Sequence, residues 1–452
     1  MRRLVVVSDR LQCDGLGATL EGVLAGSGGL WFRRARAGAD EALWHDGPGY
    51  RLAESGGPSV AQARCHEAFV DRALRPAFHG NIQSAHLQRA DFAAYRAVNR
   101  ALAEALAPSL GDDDVVWVHD IAVIPVGATL RRQGYEGPLG FFLHTPFPAP
   151  EVIGALPWRR GFAAWLAVYD LIAVQTERDA RNLTAFLVDA GGEASPGGLI
   201  WHGRAVAIAV HPVAIDTAAW RTLAESEEVG RRVRRLDECR HQTEWLFGCG
   251  RLDVSAGIEA RLEGYARFLG AASQWQGRIS LIEAVMPTTE WPEQRRLRRR
   301  VEGLVARING RFGTFDWMPV RYFYRVLTRG QRAALYRVVR AALVTPLRAG
   351  ISLTAKEFVA SQRRETPGVL LLSRFSGAAA QLSGGVLVNP YDPHDLAHAL
   401  GRALEMPLDE RRARWRAMMR LIEAEDVRDW GERLVGALVD AHRVRSRAAA
   451  AA

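Results

Sequence analysis

Lysine is almost absent from the chain. Of 59 basic residues only Lys356 is a lysine, and arginine supplies the rest of a net charge of +9. Arginine runs at 231–235 (RRVRR) and 295–300 (RRLRRR) carry charge that can attract nucleic acid or phosphate. Acidic residues flank both runs and no nucleic-acid motif accompanies them, so they read as solvated helix faces. Cysteine is scarce as well. Cys13, Cys65, Cys239 and Cys249 stand far apart without metal-ligand spacing, which fits a reduced, cytoplasmic protein with no metal site. No apolar run reaches the roughly 18–20 residues that a membrane span needs. The apolar part of MRRLVVVSDR is too short for a signal peptide and is stopped by Ser8, Asp9 and Arg10, so it reads as a first buried strand.

What is present is enough apolar material for two cores. The chain has 452 residues, 48% of them hydrophobic, and two domains of roughly 200 residues are the natural division. Strand signals recur at 3–7, 115–118, 139–143, 170–174, 206–213, 245–249, 278–284, 341–344, 369–372 and 386–388, with helical patterns between them. That alternation predicts an α/β protein with parallel sheets rather than a sandwich. Residues 11–29 read as a glycine-rich flexible loop, and 189–204 as a loop or hairpin. A break near 214–225 divides the chain into 1–217 and 218–426. A last helix over 427–443 is placed to return to the first domain, followed by a frayed alanine tail.

The chain is organised around Tyr336–Phe358, YRVVRAALVTPLRAGISLTAKEF. A short amphipathic helix leads into the apolar strand Ala341–Val344, then a glycine-containing loop, then a helix starting near Ile351 that carries Lys356 and Glu357. Strand, glycine loop and helix N-terminus converge backbone N–H groups on an anion. Ligands of open α/β sheets sit at the carboxyl ends of strands. Glu357 is placed to accept from a sugar hydroxyl; a plain βα unit with solvated charges is the competing reading.

Three other strand ends carry candidate groups. Asp120 closes Trp117-Val-His-Asp120 and can hold a hydroxyl or stay ionised beside a cationic intermediate, or else cap a helix. His144 closes the strand in GFFLHTPFPAPE, where prolines fix the loop that follows; a core histidine is the alternative. Arg251, in GCGRLDVSAG, can neutralise a diphosphate with its forked donors, or pair with Asp253.

As a set, these segments resemble one family. PAFH (76–79), YRAVN (95–99), WVHD (117–120), GFFLHTPFPAPE (140–151), QTERD (175–179), GRLDVSAG (250–257), RING (307–310), LVTPLRAGISLTAKEF (343–358) and VLVNPYD (386–392) have the order and spacing of the trehalose-6-phosphate synthases, glycosyltransferase family 20. The resemblance spans about residues 1–440. It implies a GT-B fold, two Rossmann-like domains facing a cleft. It implies transfer of glucose from UDP-glucose to glucose 6-phosphate with retention, without metal or other cofactor, and with no nucleic-acid or membrane partner. A homo-oligomer is compatible with it. The acceptor side is implied to lie in the first domain and the nucleotide sugar in the second. By resemblance, Arg10 lies near the acceptor phosphate, Asp120 contacts the acceptor and His144 the donor glucose. Gly17 belongs to the first donor loop, and Arg251 faces the diphosphate. Ile351, Ser352, Leu353 and Thr354 supply backbone under the phosphates and sugar, and Glu357 holds the ribose.

The sequence also departs from the family. The diphosphate lysine is Ala256, the sugar-binding aspartate is Ala349, and an asparagine is Ser352. The paired glycines of the first loop are Gly17-Ala18, and alanine resists φ > 0. On the acceptor side an aromatic pair is Cys65-His66, a tryptophan is Arg75, an arginine near 288–290 is Thr or Glu, and Ser-Asn-Arg has become Ser8-Asp9-Arg10. Loss of one charge stabiliser costs about 3 kcal/mol in a transition state. Two alternatives therefore stand beside the synthase reading. One is a transferase with a changed donor or acceptor. The other is a non-catalytic paralogue that binds sugar phosphate or a partner subunit.

Overall fold

The computed structural model describes residues 2–9, 15–25, 27–34, 38, 43–55, 57–240 and 243–451, with backbone alone at 448–451. Two compact units emerge: Met1–Val213 with Val427–Ala452, and Ala214–Asp426.

The first unit holds a ten-stranded sheet. Its strands are β1 (Leu4–Ser8), β2 (Gly29–Arg34), β3 (Leu43–Gly47), β4 (Tyr50–Ser55), β5 (Val115–His119), β6 (Leu139–Phe142), β7 (Leu171–Val174), β8 (Glu193–Ser195), β9 (Gly198–Trp201) and β10 (Arg204–Val210). Their order is β3-β4-β2-β1-β5-β6-β7-β10-β9-β8. The run from β4 to β10 is parallel, with Val5 opposite Val116 and Leu30. The edges β3 and β8–β9 are antiparallel additions. Val5, Val7, Val116, Val118, Leu139 and Phe141 are buried in one core with Phe69, Tyr95 and Phe162 from the covering helices. The helix Val427–Ala451 packs on β6, β7, β10 and the helix Leu16–Leu24 of this same unit.

The second unit is a six-stranded, all-parallel sheet. It comprises β11 (Glu244–Arg251), β12 (Ile279–Met286), β13 (Val320–Tyr324), β14 (Ala341–Val344), β15 (Val369–Ser373) and β16 (Val386–Val388). The order β13-β12-β11-β14-β15-β16 is the doubly wound arrangement, whose direction reverses between β11 and β14. Leu246 faces Ala341 across that switch point. In the first unit the corresponding reversal lies between β1 and β5.

Several expectations need correction, while the hairpin within 189–204 and the helical setting of the arginine runs are as expected. The loop expected over 11–29 contains the helix Leu16–Leu24, and β2 starts at Gly29; residues 11–14 are outside the described residues. Leu16, Leu20 and Leu24 recur every four residues and are buried, a helical stripe that the glycines obscured. Strands β2, β3, β4 and β13 were not expected. β2 ends in Arg33-Arg34, and β13 is an edge strand with half-exposed residues, so neither shows a clean apolar run. Residues 189–204 contain the hairpin β8–β9, and β10 ends at Val210 rather than 213. The arginine runs lie on the helices Glu227–Arg240 and Pro292–Phe312, where Arg231, Arg232 and Arg298 pair with glutamates four residues away. Among the described residues no helix is long and apolar enough to cross a membrane.

Candidate active site

Each unit carries candidate groups at its switch point. In the first unit, β5 runs out at His119 and the chain turns at Asp120 with φ 71° and ψ 172°. That backbone region is essentially reserved for glycine and costs about 1–3 kcal/mol for other residues. Surrounding structure holds it there. The Asp120 N–H donates to Phe142 O at 2.8 Å. Asp120 Oδ1 accepts from His144 N at 3.3 Å, Thr145 N at 3.2 Å and Thr145 Oγ1 at 3.4 Å. The following turn, Ile121–Val123, is clamped from the YRAVN helix. Tyr95 OH donates to Ile121 O at 2.7 Å and Asn99 Nδ2 to Ala122 O at 3.0 Å. His66 Nε2 also lies 3.2 Å from Ala122 O. The Asp120 side chain makes no capping bond to its own turn. The helix-cap alternative therefore fails: this carboxylate reaches across to the next strand's loop.

His144 follows β6 and is 5% exposed. Its Nε2 lies 2.9 Å from Nδ1 of His119. Phe142 and Trp117 pack beside the pair, and Trp430 of the last helix packs on both. Burial drives the His144 imidazole down to about 4, with the Asp120 carboxylate acting the other way. Burial, then His144, holds His119 well below the usual histidine range. Both rings are neutral at pH 7. His144 is thus in the core and also beside Asp120; the two sequence readings were not exclusive.

At the end of β1, Trp31 Nε1 donates to Ser8 Oγ at 2.9 Å. Asp9 is gripped by Arg34 through Nε at 2.7 Å and Nη2 at 3.3 Å, with Arg34 only 5% exposed. The aspartate at this position is therefore matched by a buried arginine on β2. Arg10 lies outside the described residues. Gly17 and Ala18 are helical, and the left-handed residue is Gly15, φ 90°, so an alanine at 18 is unstrained, contrary to expectation.

In the second unit, Arg251 ends β11. Asp253 Oδ1 accepts from Ser255 N at 2.8 Å and Oγ at 2.7 Å, capping the turn Val254–Ala256. Beneath it a buried ion pair joins Arg261 to Glu283 at 2.8 and 2.6 Å, and Arg261 Nη1 donates to Thr345 Oγ1 at 3.2 Å. Gly248 leaves space for that pair: a Cβ there would lie 2.5 Å from both groups. Gly257, φ 67°, lets the turn touch the loop after β14, where a Cβ would meet Thr345 O at 2.4 Å. Leu347 N donates to Ser255 O at 2.8 Å, joining the two loops.

The second loop is tied to the turn that follows β15. Ala349 N donates to Phe375 O at 3.2 Å, Gly377 N to Ala349 O at 3.0 Å, and Ser376 Oγ to Ser352 Oγ at 2.7 Å. The helix begins at Leu353, two residues later than expected, with Ser352 as N-cap but without a side-chain cap. Ile351, Ser352 and Thr354 are half-buried and Leu353 is buried. Free N–H groups of a first turn suit an anion. Glu357 lies inside the unit, 3% exposed. Arg332 Nη2 donates to its Oε1 at 3.3 Å and Tyr336 OH to its Oε2 at 3.2 Å. Burial raises its carboxyl, with Arg332 the main opposing influence. Lys356 beside it is also buried and is lowered to about 8 by burial, against Glu425. Ala256 and Ala349 are half-buried. The structure thus gathers Arg251, Ala256 and 349–354 around one switch point, and Asp120 with His144 around the other. Sequence reasoning missed His119, Arg34, Arg332 and the Arg261–Glu283 pair; His119 alone had a visible signal, its place in the WVHD strand end.

The profile of glycosyltransferase family 20 matches residues 58–440. The chain belongs to that family. A trehalose-6-phosphate synthase from Sinorhizobium fredii is 37% identical over 450 residues, 95% of this chain and 97% of its own. An alpha,alpha-trehalose-phosphate synthase from Burkholderia xenovorans, crystallised in complex with glucose-6-phosphate, superposes with a TM-score of 0.93 at 34% identity, covering 96% of this chain and all of its own. A family structure from E. coli bound with UDP-2-fluoro glucose gives a TM-score of 0.92 at 33% identity, covering 97% and 99%. The fold is accordingly GT-B.

Proposed function

We propose that this family 20 chain is a retaining, metal-independent glycosyltransferase that moves glucose from UDP-glucose, or a closely related nucleotide sugar, to glucose 6-phosphate. The observation that carries this reading is Asp120: a strained residue held by Tyr95, Asn99 and the His144–Thr145 backbone. Residues held in strained backbone regions cluster at functional sites. Asp120 contacts the acceptor and His144 the donor glucose. The loop after β14 and the N-terminus of Leu353–Ser361 receive the diphosphate, Arg251 neutralises it and Glu357 holds the ribose, from a carboxylate that Arg332 and Tyr336 already orient. The first unit is the acceptor side and the second the nucleotide-sugar side. The ligands of the Burkholderia and E. coli relatives support this donor and acceptor.

A second reading has its own support. Ala256 and Ala349 stand where the family has lysine and aspartate, and Asp9 with Arg34 replaces a neutral asparagine. A weakened or non-catalytic paralogue that binds sugar phosphate or a partner subunit fits these changes. Calorimetric titration with UDP-, GDP- and ADP-glucose, followed by nucleoside diphosphate release with glucose 6-phosphate present, separates the two. Release unaffected by EDTA supports transfer; binding without release supports the paralogue.

A further inference from the structure

The second unit has a cavity of about 790 Å³ at the carboxyl end of the helix Leu353–Ser361, away from the N-terminus that suits an anion. Its walls are the helices Thr217–Glu225 and Leu408–Glu423, the end of Arg329–Val338 and the segment after Ser361. Six arginines line it: Arg221, Arg337, Arg363, Arg364, Arg412 and Arg416. The carboxylates of the same lining are Glu225, Glu365, Asp409 and Glu423, which leaves an excess of two positive charges. Two of the arginines are matched within the cavity. Arg221 Nη1 donates to Glu423 Oε1 at 3.0 Å, and Arg412 lies 3.5 Å from Asp409. Arg363 points to Asp237, outside the lining, at 4.0 Å.

Among the described residues, no carboxylate lies within ion-pairing distance of Arg337, Arg364 or Arg416. Arg337 is half-buried, and its guanidinium makes one long hydrogen bond, to Ser361 O at 3.5 Å. Arg416 bonds only the Arg412 carbonyl, through Nε at 3.3 Å. On the arginine-rich helices elsewhere in this unit, Arg231, Arg232 and Arg298 each meet a glutamate one turn away. Here guanidiniums from two helices and a loop share one space instead. Burial, and then Arg363, disfavours the charge on Arg337 more than Glu225 and Glu365 favour it. Like charges gathered around a cavity cost free energy that an anion between them offsets. Guanidinium forks match the oxygens of a phosphate. The volume far exceeds one phosphate and falls in the range of small-molecule sites. Trp415 is the only aromatic residue of the lining; it is 9% exposed, and its Nε1 donates to Val359 O at 3.0 Å. It offers little ring face on which a base could stack. We propose that this cavity is a second, non-catalytic site for a phosphate monoester on a hydroxylated, sugar-sized body. Arg337, Arg364 and Arg416 hold the phosphate, and Glu225 and Glu365 accept from hydroxyls. The site does not depend on the glycosyl-transfer reading.

The test is hydrogen–deuterium exchange of the full chain in phosphate-free, low-salt buffer, titrated with glucose 6-phosphate, AMP or inorganic phosphate. Glucose 6-phosphate can also enter the candidate acceptor site, so the readout is local: the segments 361–366 and 408–413. Glucose 6-phosphate should slow exchange in both segments, at lower concentration than AMP or inorganic phosphate does. The double variant Arg364→Glu, Arg416→Glu should need at least tenfold more glucose 6-phosphate for the same protection, because two charge-assisted contacts are lost. Both side chains are exposed, so the variant should melt with the wild type. Equal protection by inorganic phosphate shows a general anion patch and overturns the proposal, and tighter binding of AMP overturns the sugar-sized body. Absence of protection by all three, or protection that the double variant keeps, overturns the site itself. The wild-type titrations decide even if the variant does not fold. Failure of glycosyl transfer leaves these segments' response unchanged and counts against the glycosyl-transfer reading alone.

Discussion

Asp120 offers the sharpest separation of local stability from function. Its φ of 71° and ψ of 172° cost about 1–3 kcal/mol for any residue but glycine. Against this stand three bonds to Oδ1 at 3.2–3.4 Å, long enough that each is worth about 1 kcal/mol at most. Asp120→Gly removes both the strain and the bonds, and adds about 0.5–1 kcal/mol of unfolded-chain entropy. These terms nearly cancel, so its stability should stay within about 1 kcal/mol of wild type. Asp120→Ala loses the bonds but keeps the strain, and should fall about 1–2 kcal/mol below the glycine variant. For a unit of this size 1 kcal/mol moves Tm by roughly 2–4 °C, so the two variants should melt about 2–8 °C apart when tryptophan fluorescence is followed. Neither should retain transfer activity. An alanine variant that melts at or above the glycine variant would show that the backbone is unstrained, and the case for Asp120 as a residue held for function would collapse.

The pH dependence of the first unit follows from His144. Burial lowers its imidazole to about 4 in the folded chain, against about 6.5 unfolded, so the unfolded state binds the proton first. Stability is full above the unfolded value and declines as pH falls from about 6.5 to about 4, by about 3 kcal/mol at most; His119 acts in the same direction. Thermal melts at neutral and mildly acidic pH should differ less in His144→Gln, and an unchanged difference would exclude His144 as the cause. Glu357→Gln should weaken nucleotide binding by about 1–3 kcal/mol, read by calorimetry beside a melt to allow for the disturbed Arg332 contact; unchanged binding of every nucleotide would make Glu357 purely structural. Ala256→Lys with Ala349→Asp should raise UDP-glucose turnover tenfold or more, about 1.4 kcal/mol. An ordinary parental rate that the double variant fails to improve would show the alanines to be compensated.

The parallel α/β architecture was legible because its central strands are apolar runs buried on both faces. β14 and β16 carry the limits expected from sequence. The edges were harder to read: β3 is almost wholly exposed, and β2 hides its strand character behind arginines whose carboxylate partners, Glu54 and Asp9, lie elsewhere in the chain. The site was legible as residue types at strand ends, but the couplings were not. Nothing local to Asp120 reveals its positive φ, which depends on hydrogen bonds from Tyr95 and Asn99 to the turn after it. Nothing local to Glu357 reveals the Arg332 and Tyr336 donors, more than five helical turns earlier in sequence but adjacent in space. Long-range pairing of polar groups follows packing, not periodicity, and so it escapes a reading based on spacing.

Glycosyl transfer from a nucleotide sugar is proposed for a chain that carries alanine at 256 and 349, in the loops after β11 and β14. Its most direct test is ¹H NMR of the purified chain incubated with UDP-glucose and glucose 6-phosphate in the presence of EDTA. UDP should accumulate together with a product whose new anomeric proton has the α configuration. Intact UDP-, GDP- and ADP-glucose after prolonged incubation at high enzyme concentration would contradict the proposal.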